Sequence, residues 1–429
     1  MKRNNEFKPM NITSLGEARF PSPLRYAVSD RARIPADIIR DPAVPARDEV
    51  LFELAGPRDK LFFDPTRTRA GIVTCGGLCP GLNNVVRALF FELHHTYGVA
   101  EVLGFRGGYQ GLDPARSPEP TVLTPAFVDN IHKHGGTILG TSRGPVDMAA
   151  AVDNLIRRDV RILFTIGGDG TQRGGNALFQ QARQRGHALS VVGIPKTIDN
   201  DVAFVAGTFG YLTAVEEAVK VLDCAHTEAR SVHNGLALVK LMGRHAGFIA
   251  AGATVANHDV NFTLIPEVPF KLDGKNGFLS ALKERLQKRA HAVVVVAEGA
   301  GQELFEDSAT EHDASGNIKL KDIGLYLRER IESYFREANI PIVMRYFDPS
   351  YQIRSSPANA ADSVLCDLYA RNAVHAAMAG KTGLVIGFLH DSFIHIPIEM
   401  LVREKKQVDP DSIWWTAVLA ATGQPARFE

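Results

Sequence analysis

The chain has 429 residues, in which 48 lysines and arginines balance 48 aspartates and glutamates. This balance does not indicate a nucleic-acid partner or an anionic membrane partner, so any basic site must be local. With 45% hydrophobic and 22% charged residues, the composition is typical of a soluble globular protein, and the length predicts two or three domains.

The cysteines and the N-terminus bear on the cellular compartment. Four cysteines are too few for a disulfide framework, and only Cys75 and Cys79 are close in sequence. We therefore expect four free thiols and no zinc site. Residues 1–6 lack the apolar core of a signal peptide, and no apolar run approaches the roughly 20 residues of a membrane span. These features predict a soluble, cytoplasmic protein.

The chain begins with a segment, residues 1–68, that is rich in proline, arginine and aspartate. We expect it to form an N-terminal arm on the body of the protein, with a short strand at 50–54. A buried strand is then predicted at 70–75, a glycine loop at 76–81 and a helix at 82–95. This arrangement can present backbone N–H groups and a helix N-terminus to a phosphate, although many glycine loops are simple turns.

A second loop rich in glycine and hydroxyl groups spans residues 135–144 and carries Arg143. The planar guanidinium group of an arginine can bond two phosphate oxygens at once. Arg143 is therefore a candidate phosphate clamp, although an arginine in a loop is more often merely solvated.

Another unit of strand, glycine loop and helix follows, with the strand predicted at 160–166 and the helix at 174–185. The turn between them, Gly-Gly-Asp-Gly-Thr at 167–171, adds an aspartate to the phosphate cradle. An acid in this position commonly holds Mg²⁺, so Asp169 is the candidate metal ligand. Asp169 or Thr171 could also cap the helix, and the two roles are compatible.

The loop at 194–201, Ile-Pro-Lys-Thr-Ile-Asp-Asn-Asp, follows an apolar run and carries two carboxylates. Pro195 fixes its own φ and favours extended geometry at Ile194. The segment therefore predicts a strand end that opens into a rigid loop, where α/β sheets usually place their chemistry. Asp199 is the candidate general base. On its own, Asp-Asn-Asp would suit an Asx-rich turn equally well.

Strands and helices alternate through the rest of the chain. Strands are predicted at 99–105, 235–241, 261–265, 291–297, 340–346, 383–389 and 392–397. Helices are predicted at 149–158, 209–228, 246–257, 277–289, 323–337 and 360–379, a mobile loop at 302–318 and an extended loop at 349–356. This alternation predicts an α/β fold with two Rossmann-like α/β/α lobes, mainly parallel sheets and an active-site cleft between the lobes.

Six motifs in one order make the chain resemble the phosphofructokinase family from about residue 69 to about residue 400. They are Gly-Gly-Leu-Cys-Pro-Gly-Leu-Asn (76–83), Leu-Gly-Thr-Ser-Arg (139–143), Gly-Gly-Asp-Gly-Thr (167–171), Pro-Lys-Thr-Ile-Asp-Asn-Asp (195–201), Met-Gly-Arg (242–244) and Tyr-Gln-Ile-Arg (351–354). NAD kinases and diacylglycerol kinases share the third motif but lack the fourth and fifth.

The resemblance implies a glycolytic kinase that moves the γ-phosphoryl group of MgATP to the 1-hydroxyl of fructose 6-phosphate. It implies Asp199 as the base, with Thr197 and Arg143 assisting, and Asp169 as the Mg²⁺ ligand. The implied ATP-binding residues are Gly77, Arg143, Gly144, Gly168, Asp169, Gly170, Thr171 and Gly174. The implied substrate-binding residues are Thr197, Ile198, Asp199, Met242, Gly243, Arg244, Glu298, Arg345, Tyr351, Gln352, Ile353 and Arg354.

The resemblance also implies how the chain is organised. A phosphoryl-donor lobe would hold residues 69–210 with part of 355–400, and a sugar-phosphate lobe would hold residues 211–354 with the C-terminal segment. In this family, one arginine of the sugar site usually comes from a neighbouring subunit. We therefore expect a homo-oligomer, either a dimer or a tetramer.

The family is divided between ATP and pyrophosphate as donors, and two residues bear on the choice. Pyrophosphate-dependent members usually carry aspartate at the position of Gly170, where a carboxylate would exclude the α-phosphate of a nucleotide. Gly170 therefore favours ATP, whereas Lys196 is typical of pyrophosphate users. The combination resembles the ATP-dependent, trypanosomal-like group. A pyrophosphate-dependent enzyme and a non-catalytic paralogue that binds sugar phosphate are the alternatives.

Overall fold

The computed structural model describes residues 7–39, 49–117, 119–142, 144–305, 311, 318–401 and 405–429. The chain divides into two compact units. Unit 1 comprises Met1–Thr197, Val202–Gly210 and Ser356–Lys405, and unit 2 comprises Ile198–Asp201, Tyr211–Ser355 and Lys406–Glu429. The chain therefore passes from one unit to the other within the loop that carries Asp199.

Strands and helices alternate along most of the chain. The strands are β1 (Phe7–Pro9), β2 (Thr13–Ser14), β3 (Phe20–Pro21), β4 (Arg33–Pro35), β5 (Glu49–Leu54), β6 (Lys60–Leu61), β7 (Arg69–Thr74), β8 (Glu101–Phe105), β9 (Thr121–Val122), β10 (Val160–Gly167), β11 (Ser190–Pro195), β12 (Gly235–Leu241), β13 (Phe262–Leu264), β14 (His291–Ala297), β15 (Val343–Phe347), β16 (Lys381–Thr382), β17 (Leu384–Leu389) and β18 (Ser392–Pro397). The α-helices are α1 (Leu82–Phe91), α2 (Pro125–Val128), α3 (Met148–Arg157), α4 (Asp169–Gln184), α5 (Tyr211–Arg230), α6 (Phe248–Asn257), α7 (Phe278–Arg289), α8 (Ile323–Glu337), α9 (Ser350–Ser355), α10 (Ala360–Met378), α11 (Ile398–Leu401) and α12 (Ile413–Thr422).

Unit 1 is built on a ten-stranded sheet in the order β1-β5-β18-β17-β11-β10-β7-β8-β9, with β4 also paired to β5. The central strands, from β17 to β8, run parallel. Thr74 at the end of β7 lies beside Ile166 of β10. Pro195 at the end of β11 lies beside Gly167 of β10. The loops that follow these three strands therefore leave the sheet at one edge, as is usual for ligand-binding loops of parallel sheets.

The N-terminal segment belongs to unit 1, where β1, β4 and β5 extend the large sheet beyond β18. Glu53 of β5 lies opposite His395 of β18, and its buried carboxylate also contacts Arg58 and Lys381. Burial raises the pKa of Glu53, but the hydrogen bond to His395 and the neighbouring positive charges outweigh it and lower the pKa to about 2.

Unit 2 is built on a four-stranded parallel sheet in the order β13-β14-β12-β15. Leu238 of β12 and Val294 of β14 pack with α7 and α8 in one core. Their neighbours Val239 and Val295 are also buried, and they point to the opposite face because side chains alternate along a strand. A sheet buried on both faces is typical of an α/β unit, so the predicted fold class is confirmed.

One local prediction was wrong. Residues 349–356, expected to be extended, contain α9. Proline is well suited to the start of a helix, and the Ile353 N–H group donates to the Pro349 carbonyl at 2.9 Å. The Asp348 carboxylate accepts a hydrogen bond from the Ser350 N–H group at 3.3 Å, which satisfies a donor at the helix start.

Three further expectations bear on the rest of the chain. The predicted mobile loop at 302–318 lies mostly outside the described residues, and its first part, Gln302–Leu304, is a short 3₁₀ helix. The cysteines are free thiols, of which Cys224 is exposed and the other three are buried. Within the described ranges, no helix combines the length and the apolar character that crossing a membrane requires.

Candidate active site

In unit 1, the start of α4 lies at the sheet edge where β10 ends. Gly168 precedes this helix with an extended backbone, and Asp169 is its first residue. The first N–H groups of an α-helix have no acceptors within the helix, and together with the helix dipole they favour an anion. The start of α4 therefore offers a binding position for a phosphate, with a carboxylate beside it.

Gly170, in the first turn of α4, has open space beside it. An added Cβ atom would meet only the Nη2 atom of Arg173, at 3.9 Å. Glycine is about 1 kcal/mol less favourable than alanine within a helix. Since the added Cβ atom would have room, the packing of unit 1 does not explain why a glycine is present at position 170. A ligand that occupies the space beside Gly170 would account for it.

Gly174, which is expected to line the donor site, is also required by packing inside unit 1. A Cβ atom at this position would lie 2.4 Å from the ring of the buried Tyr109. The Tyr109 hydroxyl group donates to the Thr171 carbonyl at 2.5 Å. Gly174 therefore allows α4 to approach Tyr109 closely, which holds the start of the helix in place.

Lys196 connects the loops that follow β7 and β10. Its ammonium group donates to the Gly77 carbonyl at 2.7 Å, and its backbone N–H group donates to the Gly167 carbonyl at 3.1 Å. The side chain is 7% exposed. Lys196 therefore stabilises the loop that contains Gly77, and it also places a positive charge at the sheet edge.

Asp169 has a cationic neighbour that the sequence motifs did not reveal. The Lys405 ammonium group lies 3.2 Å from its Oδ2 atom, and both side chains are partly exposed. Among the described residues, no group of three or more histidine, cysteine or acidic side chains could hold a metal ion. Mg²⁺ is usually bound by one or two carboxylates together with substrate phosphates, so a single accessible carboxylate fits a metal that arrives with the donor.

The loop that carries Arg143 is anchored beside the first glycine loop. The Thr141 hydroxyl group donates to the Gly76 carbonyl at 2.7 Å, and the Ser142 hydroxyl group donates to the Gly107 carbonyl at 2.6 Å. Arg143 itself lies outside the described residues. Gly144, which follows it, has a φ of +108°, a conformation that favours glycine.

In unit 2, Asp199 lies in a tightly held loop. Its Oδ2 atom accepts a hydrogen bond from the backbone N–H group of Arg244 at 3.4 Å, and its Oδ1 atom is shielded from solvent. The neighbouring Ile198 is 6% exposed. The preceding residue Thr197 belongs to unit 1, where its carbonyl accepts a hydrogen bond from the Thr208 hydroxyl group at 2.8 Å. The candidate base is therefore held in a defined orientation within unit 2.

Arg244 and Glu298 lie together at the ends of β12 and β14. The Nε and Nη2 atoms of Arg244 are buried, and within the described part of the chain they have no hydrogen-bond partner. Burial raises the pKa of the Glu298 carboxyl group, and the nearby Arg244 guanidinium group opposes this shift. Gly243 has a φ of +127°, which allows a tight turn at residues 242–244. A guanidinium with two buried donors that have no partner among the described residues is suited to an oxyanion or hydroxyl ligand.

The remaining residues of the expected sugar site have different environments. Arg345 is half-exposed, and its Nε atom lies 3.4 Å from a Glu228 carboxylate oxygen. Arg354 contributes to the electrostatic environment of Glu298, and its guanidinium lies 4.5 Å from the centre of the Tyr351 ring. Tyr351 is 74% exposed, and Gln352 beside it is exposed as well.

Ile353 has a structural role in α9. Its side chain is fully buried and is therefore not accessible to a ligand. The buried side chain fixes α9 and, with it, the position of Arg354 at the end of that helix.

Comparison with known proteins shows which family the chain resembles. The family model described as "Phosphofructokinase" matches residues 69–377. An "ATP-dependent 6-phosphofructokinase" from Borreliella burgdorferi is 46% identical, with 99% of both chains covered. A protein of the same name from Amycolatopsis methanolica is 45% identical, with 98% of this chain and 95% of that protein covered.

A similar fold is found in a solved structure, the "Pyrophosphate-dependent phosphofructokinase" from Marinobacter aquaeolei. It superposes with a TM-score of 0.68 and covers 84% of this chain and 93% of that chain. At 19% sequence identity, this likeness concerns the fold alone.

Proposed function

The chain belongs to the phosphofructokinase family, and we propose that it is an ATP-dependent 6-phosphofructokinase that uses MgATP. It transfers the γ-phosphoryl group of ATP to the 1-hydroxyl of fructose 6-phosphate and forms fructose 1,6-bisphosphate and ADP, a step of glycolysis. The observation that carries this choice of donor is the open space beside Gly170. The names of the two relatives that match nearly the full length support it.

Asp199 is the general base in this proposal. Its carboxylate takes the proton of the sugar 1-hydroxyl while that oxygen attacks the γ-phosphorus, and the bond to the β-phosphate oxygen of ADP breaks in line. The hydrogen bond from the Arg244 N–H group to Oδ2 orients the carboxylate for this step. Such positioning of the reacting groups accounts for much of the rate acceleration in enzymatic phosphoryl transfer.

Cations and backbone N–H groups of unit 1 would stabilise the charge of the donor. The start of α4, Lys196 and Lys405 would contact the triphosphate, and Arg143 would clamp the transferred group. Asp169 would hold Mg²⁺, which neutralises charge on the leaving phosphate when bound.

The sugar phosphate would bind to unit 2 through cationic side chains, of which Arg244 has donors without a partner among the described residues. Arg244 offers its buried Nε and Nη2 atoms, and Arg354 adds a second positive charge. Glu298 would accept a hydrogen bond from a sugar hydroxyl. The backbone of the turn at 242–244 would complete the contact.

A pyrophosphate-dependent enzyme is the second candidate, because Lys196 is typical of that group. In this protein, however, Lys196 also stabilises the loop that contains Gly77, and this role is compatible with either donor. We therefore give more weight to Gly170.

We also propose that the enzyme is a cytoplasmic homo-oligomer. Arg345 and Tyr351 are expected at the substrate site, yet both are substantially exposed, as residues that reach a neighbouring subunit would be. Four free thiols suit a reducing compartment.

The test is the formation of fructose 1,6-bisphosphate from fructose 6-phosphate and Mg²⁺, with ATP and pyrophosphate assayed side by side. Activity with ATP alone supports the proposal. Activity with pyrophosphate alone would mean that Lys196 and its loop determine the donor. Sugar-phosphate binding without turnover on either donor would favour a non-catalytic paralogue.

A further inference from the structure

Lys406 lies against the loop that carries Asp199, within unit 2. Its ammonium group donates to the Asn200 Oδ1 atom at 3.0 Å, and its backbone N–H group donates to the Asp201 carbonyl at 3.1 Å. The ammonium group also lies 5.1 Å from the centre of the Phe248 ring, within reach of a cation–π interaction. A single residue thus contacts both a side chain and the main chain of this loop.

The two residues after Lys406 fix its position. The Gln407 side chain donates to the His245 carbonyl at 3.0 Å, and the Val408 N–H group donates to Glu267 Oε1 at 2.8 Å. Glu267 also accepts hydrogen bonds from the Gly247 N–H group. The segment that contains Lys406 is therefore held against residues 244–247. The first residue of that stretch, Arg244, donates its backbone N–H group to Asp199.

Asn200 forms the turn of this loop. It is buried and has a φ of 56°, in the left-handed region, which asparagine adopts more readily than most other non-glycine residues. Such a conformation persists where the surroundings fix it. The bond from Lys406 holds the Asn200 side chain, and the turn at Asn200 determines the directions of the two flanking aspartates.

The partial burial of Lys406 supports a role at this loop. Burial lowers its pKa to about 8, and the charge of Asp201 opposes the shift. Burying an ammonium group is costly unless it is paired and hydrogen-bonded. Its hydrogen-bond partners, Asn200 and Asp201, directly follow Asp199 in the loop, and this position indicates what the charge supports.

We propose that Lys406 is a positioning residue that acts through Asn200 to fix the orientation of Asp199. This inference rests on the proposed function, in which Asp199 takes the proton of the sugar hydroxyl. A displaced base slows the chemical step but leaves both binding sites intact. The effect of Lys406 therefore falls on kcat rather than on KM.

The first test is steady-state kinetics of Lys406→Met, which keeps the length of the side chain and removes its charge. We expect kcat to fall by about 10- to 100-fold, with both KM values within about twofold of the original. Lys406→Arg should recover part of the rate, because a guanidinium group can also donate to Asn200. Lys275→Met, at an exposed lysine of the same unit, is the matched control and should behave as the unmodified protein.

A double-mutant cycle tests whether Lys406 acts through Asn200. If it does, combining Asn200→Ala with Lys406→Met should lower kcat no further than the worse single substitution, because each removes the same contact. Additive losses would overturn the inference. A rise in both KM values at unchanged kcat would also overturn it.

Hydrogen exchange separates this inference from the proposed function, because it needs no turnover. The amides of 199–202 should exchange faster in Lys406→Met than in Lys275→Met. Suppose that these amides exchange faster in Lys406→Met but the unmodified protein is active with neither ATP nor pyrophosphate. This result would support the contact between Lys406 and the loop and would reject the proposed function. Unchanged exchange and unchanged kcat in an active enzyme would reject the role of Lys406 alone.

Discussion

The ammonium group of Lys405 lies 3.2 Å from the Oδ2 atom of Asp169, at the first turn of α4. An ion pair between partly exposed side chains contributes little to stability, about 0–1 kcal/mol. Its importance lies in its location, since Asp169 is the candidate Mg²⁺ ligand and the N-terminus of α4 is the candidate phosphate site. A bound triphosphate would present oxygens to the same ammonium group.

Replacing Lys405 with Met should therefore weaken binding of the donor. We expect the KM for MgATP to rise roughly 5- to 20-fold, the cost of a lost charge-assisted contact, while the KM for fructose 6-phosphate stays constant. Lys60→Met, at an exposed lysine of unit 1, is the control. An unchanged KM for MgATP, or an equal rise in both KM values, would contradict a role in donor binding.

Replacing Gly170 with Asp should abolish the use of ATP without unfolding unit 1. The carboxylate would project into the space beside Gly170, and like charges placed together cost several kcal/mol. We therefore expect kcat/KM for MgATP to fall by at least about 100-fold. Gly170→Ala is the matched control, because its Cβ atom would lie 3.9 Å from the nearest neighbour and should be tolerated. Unchanged ATP kinetics in Gly170→Asp would refute the donor argument.

Features with a local signal could be predicted from the sequence. Strand β14 and helix α8 begin and end at the predicted residues, because a β-branched run and a capped amphipathic pattern are contained in the segments themselves. The Asp322 side chain, for instance, accepts a hydrogen bond from the Leu325 N–H group and starts α8. The glycine loops after β7 and β10 were likewise recognisable from spacing alone.

Contacts between distant segments could not be predicted in this way. Lys405 and Lys406 stand in a charged run at 403–406 that is typical of a solvated surface, yet their partners lie more than 200 positions earlier in the sequence. Only the tertiary fold brings them together. For the same reason, the close packing of Gly174 against Tyr109 could not be predicted from the sequence, because the two residues are 65 positions apart.

Replacing Asp199 with Asn tests the general base directly. The amide keeps the shape of the side chain but cannot take a proton, so kcat should fall by about 100- to 10,000-fold. Equilibrium binding of fructose 6-phosphate should be largely preserved, and the same change at the exposed Asp223 should have no effect. If kcat barely changes in Asp199→Asn, another group removes the proton.

A buried histidine predicts how stability responds to acid. His375 of α10 is 9% exposed, and its Nδ1 atom lies 2.8 Å from the Tyr97 hydroxyl group. Burial, reinforced by the charges of Arg371 and Arg58, lowers its pKa from 6.5 to about 4. In the unfolded chain the imidazole regains its ordinary pKa.

Between pH 6.5 and 4 the unfolded state therefore binds a proton that the folded state does not, so folding stability falls as the pH is lowered through this range. A shift of this size corresponds to about 3 kcal/mol at the acid end. The midpoint of urea unfolding, measured from pH 7 to pH 4.5, should decrease less steeply in His375→Gln than in the unmodified protein. His233→Gln, at an exposed histidine, should retain the full decrease. Equal slopes in all three proteins would show that His375 is not the source of acid sensitivity.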